Sequence, residues 1–380
     1  MNKKEVLEIR KQFTPANCSI TRICGCYVDA EKNKKTELKK AFLSLPEEEM
    51  FKYFDIFRKV LSGTIGKNLL NMEFPLEQES ADGTQAYLLE LKKSQLKDDI
   101  LIEDFYDKVI EHYSYGENYY IILIHAAYDI PNKGSDNLEQ FDASDEVYEF
   151  ILCALCPVKL SKAGLCYNAE TNNIEDRIRD WIVELPDVGF LFPAFTDRNM
   201  DIHGLLYYSK NAKEFQQEFI DQFLGCHIPL PAVGQKNSFN SMVEDALKEN
   251  CDFETAKNIH EKLNEIIFDN QDSPEPVTLD KMEVKKILEQ NGADEDALLD
   301  FSHQYDSYVG EKESLLITNV ANTRKFEVKT PDVTVQVNPD RPDLLRTEMI
   351  DGVPCLVIEL NDAVEVNGMN VRTVPLKKEV

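Results

Sequence analysis

Three long runs of aromatic and β-branched residues set the strongest limit on how this chain folds. They are NYYIILIHAAYDI (118–130), EVYEFILCALCPVKL (146–160), and GFLFPAF with MDIHGLLYYS (189–195 and 200–209). Each is too apolar to leave one face in water, so all three read as central strands. Polar interruptions at 131–137, 161–164 and 197–200 mark the turns between them. The fold class that follows is α+β: a mixed, mainly antiparallel sheet, helices covering a face, and a small C-terminal β-rich module.

The flanking segments supply the helices. Ser44 reads as an N-cap and Pro46 as the first helical residue, with Glu47 to Glu49 in the positive first turn. Met50, Phe51, Phe54, Phe57, Val60 and Leu61 then repeat at three-and-four spacing until Gly63. Further helices are expected at 3–13, 84–94, 99–113, 211–224, 239–249, 254–268, 280–290 and 294–305. Another is expected at 174–184, where it carries Trp181, the only tryptophan. SITRICGCYVD (19–29) suits a buried strand.

The end of the chain returns to β. Phe326 and Val328 alternate, as do Val333, Val335 and Val337, and PCLVIEL (354–360) reads as a buried strand. Asn367-Gly368, between Val364/Val366 and Met369/Val371, signals a type I′ hairpin. The expected organisation is an α+β core over 1–268, a Pro-bearing linker at 269–278, a helical pair at 279–310 and the β-rich module at 311–380.

Charge narrows the function classes. The net charge is −27, spread unevenly: residues 1–67 carry fourteen Lys/Arg against nine Asp/Glu, and the remainder 28 against 60. So negative a field repels phosphate backbones and disfavours nucleic acid over most of the surface. No apolar run nears the roughly 20 residues that cross a bilayer, so no membrane partner is expected. The opening MNKKEVLEIRKQF lacks the apolar core of a secretory signal. Nine scattered cysteines, an odd number, read as reduced thiols of a cytoplasmic protein.

Several longer motifs stand out: RICGCYVD (22–29), FPLEQE (74–79), FDASDEVYEFILCALCPV (141–158), FLFPAFTDRNMDIHGLLYYSK (190–210), LGC (224–226) and TRKFEVKTPDVTVQVNPDRPDLL (323–345). On these the chain resembles, along its whole length, the bacterial family catalogued as domain of unknown function 4317. The resemblance implies a bacterial cytoplasmic protein. It carries no assigned activity, cofactor or site residue.

Candidate chemistry therefore comes from the residues alone. His125 and Asp129, and Asp201 and His203, lie at even spacing, so each pair shares one face of its strand. On neighbouring strands the four would hold a divalent metal or transfer protons, with Asp197 and Arg198 extending the site. Gly63-Thr64-Ile65-Gly66-Lys67 departs from a phosphate loop in spacing but fits the G-x-x-G clamp of a KH module, with Lys67 against phosphate. Cys24 and Cys26 share a strand face and are candidate metal ligands, whereas Cys153 and Cys156, three apart, point to opposite faces. The bland alternative for all the thiols is a place in the core. The sequence has no G-x-S-x-G, no S-x-x-K and no G-x-G-x-x-G in a strand–turn–helix setting.

The leading expectation is a non-catalytic binding or scaffold protein, with the C-terminal module docking a protein partner or a second copy. The alternative is a metal-dependent hydrolase or nucleotide-handling enzyme built on the four His and Asp residues. A third is nucleic-acid binding through the basic N-terminal segment and the 63–67 loop. Whether the chain is an enzyme, and which cofactor it would use, the sequence leaves open.

Overall fold

The three apolar runs form the middle of one eight-stranded sheet. Its strands are β1 (Ile20–Val28), β2 (Lys34–Ala41), β3 (Leu69–Glu73), β4 (Tyr119–Asp129) and, after a short ladder of β5 (Asn132–Lys133) with β6 (Glu139–Gln140), β7 (Val147–Leu160). The arm strands β8 (Leu165–Asn168), β9 (Asn173–Asp176) and β10 (Trp181–Val183) follow, then β11 (Val188–Phe192), β12 (Ala194–Thr196), β13 (Asn199–Asp201) and β14 (Gly204–Ser209). The order across the sheet is β2-β1-β4-β7-β11-β14-β3, with β10 on the far end of β7, and every one of these pairings is antiparallel. The fold is α+β.

The computed structural model describes residues 1–133, 139–140, 146–311, 313–360 and 364–371. It has two compact units, Met1–Ala232 with Pro274–Pro276, and Val233–Ser273 with Val277–Val380. The expected turn at 131–137 lies partly outside the described residues.

In the first unit helices cover both faces of the sheet, not one. On one face α1 (Lys3–Arg10) and α2 (Glu47–Val60) meet Ile122, Ile124 and Ala126 of β4 and Leu152, Ala154 and Cys156 of β7. On the other, α3 (Thr84–Lys93) and α4 (Asp99–His112) meet Ile121, Leu123, Ile151, Cys153 and Leu155. The alternation of side chains along a strand makes this division, and two buried faces explain why β4 and β7 read as unbroken apolar runs. Phe57 shows the density of packing: fully buried, its ring lies 5.6 Å from Phe13 and 6.3 Å from Phe42. Gly189 lets α2 approach β11, since a Cβ there would sit 2.6 Å from the Cys153 carbonyl oxygen and 3.0 Å from the Val60 methyls.

Several local expectations change. Ser44 does not cap α2. It lies in the 3-10 turn Phe42–Ser44, where its hydroxyl donates back to the Ala41 carbonyl at 2.7 Å, and Pro46 occupies the N-cap position instead. Residues 174–184 form no helix: β9 pairs with β8, and β10 with β7. The helix expected over 211–224 is reduced to a π turn at Phe219–Phe223, because Phe219, Ile220 and Phe223 already reach the core from that one turn.

The second unit comprises α5 (Ala232–Leu247, from the junction onward), α6 (Phe253–Asp269), α7 (Lys281–Gln290), α8 (Glu295–Tyr308) and α9 (Ile317–Val320). Between them β15 (Thr278–Leu279) pairs with β16 (Leu315–Leu316). The buried Tyr305 hydroxyl ties α8 to this ladder, 3.0 Å from the Leu279 carbonyl oxygen. Asp280 and Glu283 form a capping box at the start of α7. Three hairpins follow: β17 (Phe326–Lys329) with β18 (Thr334–Val337), β19 (Leu345–Ile350) with β20 (Val353–Ile358), and β21 (Val364–Val366) with β22 (Met369–Val371). Asn367 and Gly368 both take positive φ, 49° and 83°, as a type I′ turn requires. The segment read as a buried strand at 354–360 is β20 and its extension, whose side chains are half-buried or exposed. No helix among the described residues is long and apolar enough to cross a membrane.

Candidate functional site

Strand order decides what the two His/Asp pairs can do together. His125 lies on β4, and His203 immediately precedes β14. Strands β7 and β11 intervene, so three inter-strand spacings, about 14 Å, separate β4 from β14. The four residues do not converge. His125 is fully buried, with Nδ1 2.7 Å from the Thr21 hydroxyl. That hydroxyl also lies 3.1 Å from the His125 carbonyl oxygen, while Nε2 is buried without a partner among the described residues. Burial holds the imidazole below its ordinary pKa; Glu149 opposes the shift, and Lys92 and Lys97 add to it. Asp129 is exposed at the end of β4.

Asp201 and His203 do come together, on the surface. Asp201 accepts the His203 backbone N–H at 3.1 Å, and the exposed His203 ring places Nδ1 2.7 Å from Glu79. The Glu79 hydrogen bond raises the His203 pKa above its ordinary value. Asp197 and Arg198 turn away to α1, the first through its N–H to Glu5 at 2.7 Å and the second in an ion pair with Glu8 at 2.9 Å. Among the described residues no three His, Cys, Asp or Glu side chains are placed to share a metal ion. Cys24 and Cys26 lie in the core against α4, and burial pushes their pKa values up to about 11 and about 12.

The glycine loop joins α2 to β3, so it lacks the two-helix setting of a KH clamp. The Thr64 carbonyl accepts from the N–H groups of Lys67 and Asn68, each at 3.0 Å. Gly63 takes φ +118°, and a Cβ there would lie 2.6 Å from the Asn68 Cβ. Asn68 in turn donates to the Ser209 carbonyl at 3.0 Å and the Lys210 carbonyl at 3.3 Å.

Beside those carbonyls opens a cleft of about 710 Å³. Tyr113, Val188 and Phe215 make its buried floor, and Ser114, Lys210 and Glu214 stand at its rim. The Tyr113 and Tyr115 rings stack at 5.8 Å with 10° between their planes. Lys210 pairs with Asp187 at 2.8 Å. No local pattern marks this cleft, because its walls come from three separate stretches, 113–115, 187–188 and 209–216.

The model of DUF4317, a domain of unknown function, matches residues 1–369. The chain belongs to this family. No curated protein matches it.

Among the described residues of this DUF4317 chain, apolar side chains face solvent on the arm and on the C-terminal hairpins. The arm β8–β10 exposes Leu165, Tyr167, Ile178, Val183 and Leu185, with Trp181 56% exposed. The hairpin β19–β20 exposes Met349, Ile350, Val353 and Ile358. Its turn, Asp351-Gly352, has positive φ at both residues, 53° and 78°. The dipeptide Asp-Gly between apolar residues is a hairpin signal carried in the sequence itself.

Proposed function

We propose that this DUF4317 chain is a non-catalytic binding protein that docks an extended, basic protein segment along the hairpin β19–β20. The observation that carries the reading is the condition of that hairpin. Each strand pairs only with the other among the described residues, so each offers a free edge, and Met349 is 68% exposed beside Ile350 and Val353. A two-stranded hairpin is marginal in water, and an unpaired apolar edge is a template for an added strand.

Charge supports the choice of occupant. Arg346, the only cation between 345 and 360, is held by Glu348 and Glu359, both at 2.9 Å. Asp351 adds another negative charge, so a Lys- or Arg-bearing strand is favoured over a second copy of this acidic chain. The free cysteines support a cytoplasmic setting.

The test is hydrogen exchange on the full chain with two synthetic peptides, one alternating valine with lysine and the other valine with glutamate. The lysine peptide is expected to slow exchange at the amides of 345–358, and Val353→Lys to abolish the effect. Equal protection by both peptides, or none by either, would end this reading. Concentration-dependent protection without peptide would assign the surface to a second copy instead.

A further inference from the structure

We propose that the cleft beside Asn68 and Lys210 binds a small organic cation, an ammonium group carried on a flat or apolar body. The inference is independent of the hairpin. It rests on three properties of the cleft.

Size comes first: about 710 Å³ lies within the range of small-molecule sites, roughly 300–1,000 Å³. The second is its aromatic surface. Tyr113, Val188 and Phe215 form a buried apolar floor, and the half-buried Tyr115, stacked on Tyr113, offers ring surface at the side. The Tyr113 and Phe215 rings are buried beneath the cleft, so Tyr115 supplies the accessible aromatic face, whose negative quadrupole potential attracts an ammonium ion.

The third is charge. Three charged side chains line the cleft: Asp187, Lys210 and Glu214. Lys210 and Asp187 neutralise one another, through the 2.8 Å ion pair and a second bond of 2.8 Å from the Lys210 N–H to the Asp187 carbonyl. Glu214 has no hydrogen bond or ion pair among the described residues and is left as the uncompensated charge. Burial first, and then the negative charges of Asp187, Glu117 and Glu184, raise the Tyr115 pKa above its ordinary value. An anion is repelled, a neutral ligand gains only the apolar floor, and an ammonium ion gains both the carboxylate and the Tyr115 ring.

The walls are already set. Asn68 holds the Ser209 and Lys210 carbonyls, the Ser209 hydroxyl donates to the Asn211 carbonyl at 3.0 Å, and Gln216 donates to the Ser114 carbonyl at 3.2 Å. A ligand therefore meets a cleft that needs little ordering.

Three probes that share a ring and differ in charge test the proposal: tyramine, 4-ethylphenol and 3-(4-hydroxyphenyl)propionate. Affinities come from titration calorimetry or ligand-observed NMR on the full chain at low salt. Tyramine is expected to bind about tenfold more tightly than the neutral phenol, with the carboxylate weakest. Glu214→Gln, a surface change, is expected to erase the difference between tyramine and the phenol. Equal affinity for all three, no binding of tyramine at millimolar concentration, or an intact preference in Glu214→Gln would each overturn the proposal.

Discussion

Replacing His125 by leucine tests the account of the sheet interior. The wild-type ring is fully buried and leaves Nε2 without a partner among the described residues. An unsatisfied buried polar group costs about 1–3 kcal/mol, whereas the bond between Nδ1 and Thr21 contributes about 1 kcal/mol. Leucine removes both and fills a similar volume, and Thr21 keeps the carbonyl oxygen of residue 125 as an acceptor. At neutral pH the variant is therefore expected to match the wild type or to exceed it by up to about 2 kcal/mol.

The pH dependence gives the sharper reading. Burial, Lys92 and Lys97 depress the folded-state pKa below the ordinary 6.5, against the pull of Glu149. Below pH 6.5 the unfolded chain thus binds a proton that the folded chain refuses. The stabilising contribution of the neutral ring is complete above the unfolded pKa and is lost as pH falls toward the folded pKa. Its slope reaches about 1.4 kcal/mol per pH unit. Leucine has no such term, so the advantage of His125→Leu grows as the solution is acidified below pH 6.5. Urea unfolding followed by far-UV circular dichroism at several pH values measures both quantities. A variant destabilised by more than about 3 kcal/mol at neutral pH, with an unchanged pH slope, would refute the reasoning and mean that the ring is charged and paired in the fold.

Other expectations follow from packing and exposure. Phe57→Ala opens a void among Phe13, Phe42 and Tyr53 and is expected to lower stability by about 3–5 kcal/mol in the same urea assay. Gly189→Ala drives a methyl group against the Cys153 carbonyl and Val60, and a loss of about 1–3 kcal/mol is expected, read as a lower urea midpoint. Trp181, the only tryptophan and more than half exposed, should emit at long wavelength and be quenched by iodide in the native state. A blue-shifted, shielded emission would contradict its place on the arm.

What the sequence showed and what it hid have separate physical causes. Helix α2 was legible because Glu47 to Glu49 and the stripe from Met50 to Leu61 point to the same local structure. The arm was not. Ile174, Ile178 and Ile182 recur every four residues, a spacing that fits a helix face and also the even period of a strand. The turn at Asn172, φ 52°, resolves it as a hairpin. Spacing along β4 correctly placed His125 and Asp129 on their strand, but the order of strands is a long-range property. The intervention of β7 and β11 is not written near either histidine. The cleft was invisible for the same reason, as the stretches 113–115, 187–188 and 209–216 that line it are distant in the chain.

The division of the first unit by its sheet has a practical consequence. Cys24, Cys26 and Cys153 face the layer under α3 and α4, while Cys156, three residues along the same strand from Cys153, faces the layer under α1 and α2. Burial holds all four as thiols, so an alkylating reagent reaches each one only when its own layer opens. The unmodified chain thus carries a clock on each side of one strand. Timed alkylation, read peptide by peptide in a mass spectrometer, reports whether the two layers breathe together or apart.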